Sequence, residues 1–497
     1  MPFSPPTGGR LAALALSLVV ALGSGGLTAA PASASAPASA PASAPGPASP
    51  YGPQAPQNPF TAANGAATMH GDSASSGTTA YPGPGTSGID YSRTALASAC
   101  PTVVVGGDGY VIALRTTIFG RTPTVHLLDP GTGADLASLA LPKGSLFGGV
   151  YAYLDNADRL VVVDGNNALV RVGHHRTGSG WELRIDQSTP LGDAVPAGDD
   201  IVGLTPDWEG RVWFATSGGV IGTVDTTAGT VRSISTGEGV QNSISTVPGR
   251  TAVATDHALY LLSAAPDGTP VVDRRTPYDR GPGRKPGQLS WGTGTTPAFF
   301  GPERGTEYVA IVDNAAPHAN LLVYRAAGGP DPVCRIPVLT GYARSGTEDA
   351  VIASGRSVFV TNTYGYPYPA LPEGAPASQP ASADFDGGLS RIDVNAEGTG
   401  CSVVWNSPVK SAALPRLSLA DGKIYTVSVT GPTGSAGLNT FARYHHSVID
   451  PATGAQLTSS FLGIGLVYNP LQMRGTAAPD GTLYQGTETG VVRISRR

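Results

Sequence analysis

The chain has 497 residues, 67 of them glycine and 44 proline, and a net charge of −5. That length exceeds a single small domain but suits one large repeat fold. With 31 basic and 36 acidic residues spread along it, the chain lacks the basic footprint of a nucleic-acid binder, and it has no charge block that would serve as an interaction tail.

The first element is a targeting segment. Arg10 supplies one positive charge, "LAALALSLVVALG" follows as an apolar run of about 13 residues, and "LTAAPASASA" offers small residues for cleavage. The run is shorter than the roughly 20 residues that a spanning helix needs, so residues 1–35 are expected to form a secretory signal peptide. An uncleaved anchor is the alternative. A single Arg argues against a twin-arginine route. No later segment is apolar enough to cross a membrane. The expected product is secreted, extracellular and without a transmembrane segment in the mature chain.

Residues 36–93 open with "APASAPASAPGPASPYGPQAPQ". Such a tract has little to bury against its ordering entropy, which predicts a disordered or polyproline-like linker. The folded body is then expected over 94–497.

Eight stretches in that body look alike: "GGDGYVIAL", "NADRLVVVD", "WEGRVWFAT", "VPGRTAVAT", "RGTEYVAIV", "ASGRSVFVT", "LADGKIYTV" and "APDGTLYQG". Most combine a polar or glycine turn with a β-branched or aromatic run, the pattern of turn plus strand. They recur about every 53 residues between Gly106 and Ala478, near the period of a propeller blade. A second hairpin follows several of them, as in "LLDPGTGADLASLALP", "TVDTTAGTVRSIST" and "VIDPATGAQLTSSF", with "RIDVNAEGTGCSVVW" a looser copy. The Asp caps its own turn and Gly takes the left-handed position. Helical periodicity is nearly absent after residue 95.

The predicted fold is therefore all-β: a β-propeller of four-stranded antiparallel blades, eight in number, with seven still possible. The last unit ends soon after "GVVRIS", so a strand from before Pro101 has to close the ring. Three cysteines, Cys100, Cys334 and Cys401, lack CxxC spacing and give no support to a zinc site. Cys334 and Cys401 both sit in late strands and are the first choice for a disulfide; three small core hydrophobes is the plain alternative.

The "D-x-x-TG" outer hairpins resemble those of the quinoprotein alcohol dehydrogenase-like (PQQ-repeat-like) superfamily. The strings "YDRGPGRKPGQLSWGTGTTPAFFG", "VAIVDNAAP", "TNTYGY" and "GCSVVWNSPVKSAALPRLSLADGKIYTV" resemble secreted bacterial β-propellers of that superfamily. The resemblance covers most of the chain from about residue 100 and implies the fold; no single activity travels with it. Adjacent cysteines and a CxxCH haem motif are missing, which weakens the redox reading.

Polar residues near the innermost strands are the candidates for a central channel. "GEGVQNSIS" supplies Glu238, Asn242 and Ser243, and "SGTEDAV" supplies Thr347, Glu348 and Asp349. "GTGTTP" supplies Thr295 and Thr296, while Asp313, Asn314 and Asn362 end following strands. The expected channel lining is Glu238, Asn242, Thr295, Thr296, Asp313, Asn314, Glu348 and Asn362. Carboxylates and amides together suit Ca²⁺, which makes Glu238, Asn242, Asp313 and Glu348 the candidate metal set. For Asp313 and Asn314 the competing reading is turn chemistry; for Glu238 and Glu348 it is a solvated rim. His174–His175 and His445–His446 are adjacent pairs, so within a strand each pair points to opposite faces. Trp208, Trp213 and Trp291 suit stacking on a sugar or other flat ligand, or packing between blades. No GxSxG element supports serine catalysis.

The functional expectation is a monomeric propeller binding a small molecule or cell-envelope ligand at its central channel, without nucleic acid and leaning away from catalysis. A calcium-dependent hydrolase or lactonase is the alternative, and a quinone-binding redox protein the weaker one. Calcium is the one cofactor the residues suggest.

Overall fold

In the computed structural model the described residues are 49–63, 66–117, 122–142, 151–242, 244–432 and 440–497. The expected signal peptide, the start of the expected linker and Ser243 lie outside them. Eight antiparallel sheets of four strands follow one another along the chain, and the only helical elements among the described residues are two three-residue 3₁₀ turns. Blade 1 is built from Ala99–Val105, Val111–Thr116, Pro123–Leu128 and Asp135–Ala140. Blades 2 to 7 repeat that plan, beginning at Tyr153, Ile201, Ile244, Ala298, Ile352 and Arg416.

The repeated sequence motifs map onto the blades one for one. Each supplies the turn between the first two strands and the second strand itself. The Asp turns close the outer hairpins: Asp129 Oδ1 accepts from the backbone N–H groups of Gly131 (3.0 Å) and Thr132 (2.8 Å). Asn395 does the same work in blade 6, accepting from Thr399 N–H at 2.8 Å.

The second strands are buried over most of their length, and Tyr308–Val312 and Val212–Thr216 over all of it. Successive side chains leave a strand on opposite faces, and in a ring each face meets a neighbouring blade. Thus Val103 packs towards blade 8 while Val104 packs towards blade 2. Trp213 faces blade 4 and Phe214 faces blade 2. Eight separate apolar clusters result, one at each interface between blades. That count settles eight blades over seven. The outermost strands cover one face only and alternate, as in Thr230–Ser235.

Ring closure follows the sequence expectation. Ile89–Ala95 pairs antiparallel with Gly490–Arg496, Ile89 opposite Arg496, and completes blade 8. Cys334 and Cys401 are disulfide-bonded, tying the outer strands of blades 5 and 6 together; Cys100 is buried as a free thiol.

The stretch 49–93 departs from the expected linker. Its closing strand belongs to blade 8, and residues 66–79 run along the innermost strands at the axis of the ring. Asn58 Nδ2 donates to Pro206 O in blade 3 at 2.9 Å. The segment then exchanges backbone hydrogen bonds with Leu154 of blade 2 through Ala62 and Ala67, and Val105 N–H of blade 1 donates to Ala66 O. After a turn near Met69–Gly71, its carbonyls take the N–H groups of four more innermost strands. Thr246 donates to Ser73 (2.7 Å), Phe299 to Ala74 (2.9 Å), Ala353 to Ser76 (2.8 Å) and Leu417 to Gly77 (3.1 Å). Thr78–Thr79 adds a parallel strand to blade 7. The physical reason is edge satisfaction. The innermost strand of each blade turns an unpaired edge to the axis, and only small residues fit there. "AATMHGDSASSGTT" brings its backbone instead of a hydrophobic core, so composition alone reads it as disorder.

Candidate functional site

The axial segment enters among the turns between first and second strands. Asn156 Nδ2 of one such turn donates to Pro59 O at 3.2 Å, and Asp421 Oδ2 of another accepts from Gly83 N–H at 3.1 Å. Its inner tip, Met69 and His70, forms the floor of a cavity of about 60 Å³ walled by the connections on the opposite face. Those connections are the segments 236–242, 278–297, 338–351 and 465–475, together with the long 362–388 loop of blade 6.

Three of the eight expected lining residues meet there: Asn242, Thr296 and Glu348. Asn242 Nδ2 donates to Glu348 Oε1 at 2.8 Å, and Asn242 Oδ1 accepts from the Tyr151 hydroxyl at 2.5 Å. Glu348 Oε2 accepts from Leu289 N–H at 3.0 Å. Burial pushes the Glu348 carboxyl up to about 7, against these hydrogen bonds and the charge of Arg284. Thr296 Oγ1 lies 3.3 Å from His70 Nε2.

The other five hold the scaffold. Glu238 sits on the rim, accepting from Thr255 Oγ1 at 2.6 Å and from Arg275 Nε at 3.0 Å. Burial pulls its carboxyl up, but these partners hold it below its ordinary value. Thr295 Oγ1 accepts from Val312 N–H at 3.3 Å inside blade 5. Asp313 caps its own turn, taking the N–H groups of Ala315 (3.0 Å) and Asn320 (2.7 Å) and the Asn320 amide (2.8 Å). Asn314 Nδ2 donates to Arg280 O and Gly283 O, bracing the 278–297 segment. Asn362 ties Gly346 and Gly387 together in the same way. Turn chemistry therefore accounts for Asp313. The expected calcium set is dispersed: only Asn242 and Glu348 touch. Among the described residues no group of three or more His, Cys, Asp or Glu side chains is placed to hold a metal ion.

Four residues absent from the expected lining complete the cavity: His70, Asp349, Gln472 and Arg474. All four are buried, and each leaves a polar atom without a hydrogen-bond partner among the described residues, namely His70 Nδ1, Asp349 Oδ2, Gln472 Oε1 and Arg474 Nε. Burial, then Arg474 and Arg416, hold His70 well below its usual pKa, so its ring is neutral. Burial drives the Asp349 carboxyl well above its usual value, against the charge of Arg474. Arg474 is anchored through Nη1, which donates to His70 O at 3.2 Å. Arg416 fixes the tip from below, donating to Met69 O at 3.1 Å. Asp349 stood beside Glu348 in "SGTEDAV" as a visible candidate. His70 was hidden by the linker reading, and no periodicity marks Gln472 or Arg474.

The remaining sequence candidates resolve simply. Trp213 is buried between blades, its indole N–H donating to Asp207 Oδ2 at 3.0 Å. His446 is buried against Tyr425 while His445 faces outward, and burial brings His446 down to about 4.

Fold and site together define an eight-bladed β-propeller with a plugged axis and, at the inner tip of the plug, a cavity lined by apolar side chains and a few buried polar ones. No protein-family model matches the chain, and no curated protein sequence does. Solved structures match it in fold. Quinohemoprotein alcohol dehydrogenase from Comamonas testosteroni is 11% identical, with 87% of this chain and 81% of that one covered at a TM-score of 0.51. BamB from Moraxella catarrhalis is 12% identical, covering 83% and 98% at a TM-score of 0.46. The WD40 domain of Toxoplasma gondii coronin is 10% identical, covering 84% and 88% at 0.45. Likeness at this level of identity speaks to architecture alone.

Proposed function

We propose that the protein is an exported binding propeller that takes a small polar group into its axial cavity. The observation that carries this reading is that His70, Asp349, Gln472 and Arg474, each with a buried polar atom that lacks a partner among the described residues, line one space. A buried polar atom without a partner costs about 1–3 kcal/mol, and the polar group of a ligand recovers that cost. The cavity has room for a few waters when no ligand is present. Export is supported by the Cys334–Cys401 bond, since disulfides persist in oxidising compartments. Binding rather than turnover is preferred because both Glu348 oxygens are already held by Leu289 and Asn242.

A thermal-shift screen of small polar compounds, run on the wild type and on Asp349→Asn and Gln472→Leu, tests the reading. A compound that raises the melting temperature of the wild type and not of the variants is the expected result. No stabilising compound, or stabilisation that persists unchanged in both variants, contradicts it.

A further inference from the structure

The axial cavity shares two of its lining residues, Gln241 and Leu289, with a groove of about 280 Å³ on the same face. The groove runs past Trp291 and Arg280 to residues 372–376 of the long blade 6 loop. Trp291 is held in place before any ligand arrives. Its Nε1–H donates to Arg280 O at 3.0 Å, and the Arg280 guanidinium lies 4.3 Å over the ring. That guanidinium is pinned in turn by Asp256 Oδ2 at 3.0 Å and His257 Nε2 at 2.8 Å. An oriented indole is a preformed platform, since its ring face attracts C–H groups and cations.

The unpartnered polar atoms on the four residues that line the inner cavity are of mixed kind. Gln472 Oε1 accepts and Arg474 Nε donates, while Asp349 Oδ2, whose carboxyl burial holds well above its usual value, and His70 Nδ1 do one or the other according to protonation and tautomer. A cationic head group there meets the Arg474 guanidinium. An anionic one lies beside the Asp349 and Glu348 carboxyls and needs both of them to stay protonated. A hydroxyl donates and accepts through one atom and satisfies both kinds of wall. Hydroxyls in the small cavity and a flat C–H face along the indole are the two halves of a sugar's chemistry.

We propose that cavity and groove form one site for a neutral oligosaccharide. The chain end places its hydroxyls among His70, Asp349, Gln472 and Arg474, and a following ring lies along Trp291. This rests on the axial cavity being a ligand site, and adds the ligand class and the second subsite.

The test is binding of the full chain to an array of neutral hexose, pentose and N-acetylhexosamine oligosaccharides, with hits measured by calorimetry. Ammonium and carboxylate probes, 1,5-diaminopentane and glutarate, serve as charged comparators. Wild type, Trp291→Ala, Trp291→Phe and Asp349→Asn are compared, with melting temperature as the check on folding. The expected result is a neutral oligosaccharide whose affinity falls at least tenfold in Trp291→Ala and in Asp349→Asn but is largely kept in Trp291→Phe, where a ring remains. Absence of any neutral hit overturns the proposal, as does a hit indifferent to Trp291→Ala. Binding of a charged probe alone, lost in Asp349→Asn, overturns the sugar assignment and leaves the cavity reading standing. A sugar hit lost in Trp291→Ala but kept in Asp349→Asn overturns the joined site and the cavity reading with it.

Discussion

Asp349 and Glu348 are neighbours in sequence with different surroundings. Glu348 has both oxygens engaged, whereas Asp349 keeps one oxygen buried and unpartnered. A carboxyl raised by burial stabilises the fold fully below its unfolded pKa, and loses that contribution as pH rises through the folded value. Asp349→Asn removes the loss, so we expect the variant to be more stable than wild type by about 1–3 kcal/mol near pH 8. The gain should shrink towards pH 4, as read by denaturant melts at each pH. A stable but binding-deficient variant is the trade-off expected of a functional residue; a destabilised one would make Asp349 structural. Glu488 gives a second, independent titration. It accepts from Asn469 Nδ2 at 2.6 Å, and Asn469 in turn holds the Tyr366 hydroxyl at 2.6 Å. Burial pushes Glu488 up to about 7 from 4.5. Its contribution is therefore complete below about 4.5 and lost as pH rises through about 7. Lowered His70 and His446 act oppositely: their contribution is present above 6.5 and lost as pH falls through their folded values. Stability should peak on the acidic side of neutrality, and melts between pH 5 and 8 should show a decline that Glu488→Gln flattens. An unchanged slope in that variant would remove Glu488 from the account.

At the scale of elements, the blades were legible because their signals are local. Each turn-plus-strand motif and each Asp-capped hairpin carries its own chemistry within about 15 residues, and the late-strand positions of Cys334 and Cys401 pointed to their pairing. The need for a closing strand was also legible, since "GVVRIS" leaves blade 8 one strand short. The axial segment was not. Its order comes from backbone hydrogen bonds to six different blades and a side-chain bond from Asn58 to a seventh, and a one-dimensional reading sees only small polar residues. The same blindness removed His70 from the expected site, while Asp313, Asn314 and Asn362 looked functional because turn caps and ligands use the same residue types. The disulfide is the one side-chain covalent link between blades, closing a loop of 67 residues. Replacing both Cys334 and Cys401 with Ser should cost about 2–4 kcal/mol, chiefly through the unfolded state. A denaturant melt of the double variant that superimposes on wild type would show that blades 5 and 6 need no staple.

The whole molecule is a ring that fills its own axis. Eight apolar interfaces hold the blades together, and one stretch of the same chain closes both the channel and blade 8. What remains open is a recess on one face, floored by that stretch and holding a few buried polar side chains, with a groove past Trp291 beside it. Hydrogen–deuterium exchange of the peptide spanning residues 66–79 tests this arrangement most directly. The account predicts slow exchange at the Gly71, Ser75, Ser76, Gly77 and Thr78 amides, which donate within the segment where it is buried in the ring. Exchange at the rate of an unstructured peptide would contradict it, emptying the axis and taking away the floor of the proposed site.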